Sequence, residues 1–72
     1  AAIAYLQEAI AINPDYAEAY NNLAIIYAQR GEGNKALQLF KKAISLAPRN
    51  AVIQENRRLA SEHFEPPDAA TH

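Results

Sequence analysis

Residues 17–50 read AEAYNNLAIIYAQRGEGNKALQLFKKAISLAPRN, and this stretch decides the fold because it is one period of a repeat. Laying residues 1–17 over residues 35–51 pairs Ala2 with Ala36, Ala9 with Ala43, Ile10 with Ile44, Pro14 with Pro48 and Ala17 with Ala51, identical at a spacing of 34. Ile3 with Leu37, Leu6 with Phe40 and Ile12 with Leu46 keep apolar character. Such a period marks a unit that cannot bury its apolar face alone and stacks on its neighbours. The 72-residue chain is therefore expected to hold the second half of one unit (1–16), a whole unit (17–50), a closing helix (51–65) and a disordered tail (66–72).

Each half unit reads as a helix. In Ala1 to Asn13, Ile3, Leu6 and Ile10 recur at steps of three and four, the mark of one buried face, and Pro14 stops the run. Asp15 stands where an N-cap is wanted, with Glu18 three residues on, which predicts a capping box for a second helix. That helix carries Tyr20, Leu23, Ala24 and Tyr27 inward and ends at Gly31, a residue free to adopt the left-handed conformation. A third helix holds Ala36, Leu37, Phe40, Ala43, Ile44 and Ala47 at helical spacing before Pro48, and Asn50 can cap a fourth. In the fourth, Ile53, Ala60 and Phe64 form one narrow apolar stripe. Gln54, Arg58, Ser61 and Glu62 form a polar face on which Arg58 and Glu62 can pair. A helix that is polar on one side suits the end of a stack, so residues 51–65 are expected to act as a C-terminal cap.

Composition narrows the function classes. A chain of this size buries only about 60% of its unfolded surface, so its stability is marginal. Without cysteine, no disulfide or thiolate metal site supplements the core. The longest apolar run, Leu23 to Ala28, is far shorter than the roughly 20 residues of a membrane span. The sequence starts at Ala1, inside a unit and without methionine, so the true N-terminus is expected upstream and the compartment is not legible. Net charge is -1, but its distribution is uneven. Residues 1–34 set Glu8, Asp15, Glu18 and Glu32 against Arg30. Residues 35–58 set Lys35, Lys41, Lys42, Arg49, Arg57 and Arg58 against Glu55. Beyond them come Glu62, Glu65 and Asp68.

Tyr20, Leu23, Ala24, Tyr27, Ala36, Phe40 and Pro48, with Ala2, Leu6, Ala9 and Pro14 in the partial first unit, resemble the tetratricopeptide-repeat (TPR) signature. Alanine at Ala24 replaces the usual glycine, and Gly33 stands where an aromatic is common, which is expected to loosen that corner. The resemblance implies an all-α fold of antiparallel helical hairpins in a short right-handed solenoid of four helices, the C-terminal fragment of a longer array. It also implies a concave groove that binds a peptide or helix of a protein partner. Carried onto this chain, the groove residues are Glu18, Asn21, Asn22, Ile25 and Gln29. A clamp for acidic chaperone C-termini needs lysine and arginine where Val52 and Asn56 stand, and is rejected on that ground.

Other chemistry finds little support. Lys41, Lys42, Ser45 and Arg49, with Arg57 and Arg58 nearby, read as a solvated face, and nucleic acid is disfavoured because no aromatic stands among these charges to stack on a base. His63 has only Glu62 as a near acid, about 100° away around the helix. Ser45 and Ser61 lack a base, and no His, Asp or Glu cluster has metal-site spacing, so no catalytic residue, metal or cofactor is expected. Three functional readings stand: a protein-interaction scaffold, a structural spacer or terminal cap (the recognition arm of a larger enzyme included), and self-association through Ile3, Leu6 and Ile10, whose face lacks its own partner helix.

Overall fold

The structure, a computed structural model, describes residues 2–64. It consists of four helices: α1 (Ala2–Ile12), α2 (Ala17–Gln29), α3 (Gly33–Leu46) and α4 (Ala51–Phe64), with no strand among the described residues. The expected tail at 66–72 lies outside that range, as does residue 65 of the closing helix. Successive helices pack on one another: α1 on α2, α2 most extensively on α3, and α3 on α4.

The connections repeat as the sequence does. After α1, the Tyr16 N–H donates to the Asn13 carbonyl at 3.1 Å. Thirty-four residues later the Asn50 N–H donates to the Ala47 carbonyl at 3.1 Å, so both turns carry proline as their second residue. The turn after α2 is a Schellman closure. Gly31, at φ 80°, donates to the Ala28 carbonyl at 3.0 Å, and the Glu32 N–H donates to the Tyr27 carbonyl at 2.9 Å. Glu32 then bridges Arg30 and Lys35, each at 3.2 Å, and both cations lie over the Tyr27 ring, 5.8 and 5.3 Å from its centre.

The helix starts agree only in part with the spacing. Asn50 caps α4 by accepting from the Ile53 N–H at 3.1 Å. The capping box expected from Asp15 and Glu18 does not form. The Asn13–Tyr16 turn consumes Asp15, whose N–H donates to Asn13 Oδ1 at 3.3 Å, and the N-cap falls one residue later on Tyr16, which has no side-chain oxygen placed to accept.

The core follows from small residues facing one large one. Ala24, Ala36 and Ala60 surround the buried Phe40 ring, and Ala19, Leu23, Ala43 and Ile53 are buried alongside. Alanine at these positions lets the helix axes approach, and Phe40 fills the space left between them. Tyr27, Leu37, Leu39 and Phe64 close the margin; Tyr20 is half-buried.

The Gly33 corner is not loose. The Phe64 ring packs directly over Gly33, so a methyl added there would overlap Cγ and Cδ1 and come within 3.0 Å of Cβ. Gly33→Ala is therefore expected to lower stability by about 1–2 kcal/mol, although alanine is the better helix former. Combining it with Phe64→Ala should remove the clash, so a double-mutant cycle read by thermal melting should show strong non-additivity.

Candidate functional site

Between the C-terminal half of α2 and α4 lies an open cleft of about 260 Å³. Ile25, Ala28 and Gln29 form one wall, Asn56, Leu59, His63 and Phe64 the other, and Phe40 with Ala60 the floor. Leu59 is 51% exposed, an isobutyl group held at the cleft by a helix anchored through the buried Ile53 and Ala60. His63 stands beside it, edge-on to the Phe64 ring with centroids 4.7 Å apart. The lining is apolar in its centre, with an amide at Gln29 and another at Asn56 on opposite walls. Such an arrangement can hold an apolar side chain while the amides meet the polar backbone around it.

The residues expected in the groove separate into two groups. Ile25 and Gln29 line the cleft; Glu18 and Asn22 are exposed outside its lining. Asn21 is 8% exposed, and its Oδ1 accepts from Asn56 Nδ2 at 3.2 Å, so its amide ties α2 to α4 instead of standing open to a partner. Leu59, Asn56, His63 and Phe64 were not among the residues expected there. Asn56, Leu59 and His63 have a signal in the sequence: with Val52 they stand at steps of four, three and four, a second face beside the stripe of Ile53, Ala60 and Phe64, which packs inward as expected.

The face expected to drive self-association also differs. Ile3, Leu6 and Ile10 are each half-buried, because α1 turns this side toward α2. The open apolar residues of α1 are Tyr5 and Ile12, 72% and 78% exposed.

On the polar side of α4, Arg58 pairs with both Glu55 and Glu62, its Nε donating to Glu55 Oε1 at 3.0 Å. The hydrogen bond from Arg58 holds the Glu55 carboxyl below the usual carboxylate range, and the two acids push the Arg58 guanidinium further up. All three groups are solvent-exposed, so this network adds solubility more than stability. Among the described residues no group of three His, Cys, Asp or Glu is placed to hold a metal ion, and no helix is long and apolar enough to cross a membrane.

The family pattern described as "Tetratricopeptide repeat" matches residues 17–50, and the one described as "TPR repeat" matches residues 1–31. The chain belongs to the tetratricopeptide-repeat family. A TPR unit is a helical hairpin, as α2 and α3 form here, and repeats of this family mediate protein–protein interaction. The chain is 39% identical over 54 residues to "Serine/threonine-protein phosphatase T" of Trypanosoma brucei brucei (strain 927/4 GUTat10.1), an alignment spanning 75% of this chain and 11% of that protein. No solved structure matches.

Proposed function

We propose that this TPR segment binds a segment of a partner protein in the cleft between α2 and α4, with Ile25 and Leu59 gripping an apolar side chain and Gln29 and Asn56 bonding the partner's backbone. The observation that carries this reading is Leu59, an apolar residue half open to solvent on the wall of an apolar cleft. Glu18 and Asn22 lie farther along α2 and extend the contact. Asn21 serves it indirectly, by holding α4 through Asn56.

The test uses peptides selected from a random display library against the full chain. Leu59→Asp is expected to weaken a selected peptide roughly thirtyfold, about 2 kcal/mol, as for a central anchor residue, with an unchanged circular dichroism spectrum. Unchanged affinity would show that the cleft does not bind the peptide and leave a spacer or cap role for this unit.

Self-association is the second reading, favoured by Tyr5 and Ile12 on α1. Leu39, which stands 34 residues after Tyr5, packs against the core, so Tyr5 occupies a position that is covered in the whole unit. A second copy is expected to cover it, giving a dimer that grows with concentration in light scattering and is lost in Tyr5→Ser/Ile12→Ser. A monomer at every concentration contradicts this reading.

A further inference from the structure

A second cleft, about 330 Å³, opens between α3 and α4 and shares no residue with the first. It is lined by Asn34, Leu37, Gln38 and Lys41 of α3 and by Arg57 of α4. We propose that it is a docking surface for an acidic segment of a partner protein. This proposal does not rest on the α2–α4 groove.

Three observations carry it. Arg57 stands 34 residues after Leu23; the leucine is buried, but the arginine is exposed, so an interhelical apolar position has become a cation at the surface. Second, Arg30, Lys35 and Arg58 each have a carboxylate at salt-bridge distance, whereas among the described residues none lies that close to Lys41 or Arg57. Two cations held on separate helices across one cleft, with no carboxylate of the described residues at salt-bridge distance, create a local positive potential that an anionic group would neutralise. Third, the rest of the lining suits a peptide. Asn34 and Gln38 offer amide donors and acceptors to a carboxylate or a backbone, and half-buried Leu37 offers an apolar contact.

Charge complementarity decides the class of partner and the absence of a ring decides between polymers. Arginine with lysine suits carboxylates as well as phosphates. No aromatic side chain lines this cleft, so a nucleic-acid base finds nothing to stack on.

The experiment measures fluorescence anisotropy of a labelled peptide of alternating Asp, Glu and Leu against the full chain at low salt. The expected result is saturable binding that weakens as salt rises, because the cations are exposed. Lys41→Gln/Arg57→Gln should lower affinity about tenfold, the scale of two exposed charge contacts at low ionic strength. Lys42→Gln/Arg49→Gln, which removes the same charge outside the cleft, should stay within about twofold of the parent chain. All four residues are exposed, and circular dichroism checks that both variants fold. No binding by the parent chain, equal loss in both variants, or tighter binding of a single-stranded oligonucleotide than of the peptide would each overturn the proposal.

Discussion

Phe40→Ala is expected to lower the stability of the chain by about 3–5 kcal/mol, the cost of deleting a fully buried ring. Only 2% of Phe40 is exposed, and its neighbours Ala24, Ala36 and Ala60 carry single methyl groups. The whole chain is expected to have a stability of about 4–11 kcal/mol, so this loss is a large fraction of the total. Thermal melting should move down by at least about 12 °C, and part of the population should be unfolded at room temperature. Phe40→Leu, which retains most of the volume, should cost about 1 kcal/mol. Equal effects of the two variants would mean that the ring is not the packing centre.

Ile53→Ala is the second large effect, about 2–4 kcal/mol, and it falls on one helix. Ile53 is 1% exposed and is the principal apolar anchor in the first half of α4, which packs mainly on α3. Its loss should loosen α4 while α2 and α3, joined across the alanine-rich interface, keep their hairpin. Amide exchange should then rise across residues 51–64 and stay slow at Ala36, Phe40 and Ala43. Peptide affinity should fall in parallel, because α4 supplies Asn56 and Leu59 to the cleft. A uniform rise in exchange over all four helices would show that α4 is inseparable from the hairpin.

Much of this architecture is legible in the sequence, because its decisive residues act locally. Gly31 ends α2, Asn50 caps α4, and the alanines of the 34-residue period mark the close interfaces. What escaped depends on how helices are placed against each other. Asp15 has the right chemistry for an N-cap, but the preceding turn needs it, and a one-residue shift moves the cap to Tyr16. Asn21 lies on the side of α2 that resembles a groove, and only the approach of α4 shows it bonded to Asn56. Val52 and Leu59 each sit one residue before Ile53 and Ala60, about 100° away around the helix, so periodicity alone cannot say which pair is core. The structure buries Ile53 and Ala60 and leaves Val52 and Leu59 to solvent.

The same placement separates two surfaces on one small scaffold. The α2–α4 cleft is apolar with amide rims, and the α3–α4 cleft is cationic. A partner that contacts both would combine an apolar anchor with an acidic stretch, and linkage of the two contacts would raise its affinity beyond that of either.

A partner segment seated between α2 and α4 is the proposal on which the binding role depends. Its most direct test is an amide chemical-shift map of the full chain titrated with a peptide selected from a random display library. The largest changes are expected at Ile25, Ala28, Gln29, Asn56, Leu59 and His63, with little change in α1. Changes concentrated on α1, or spread evenly over all four helices, would contradict it.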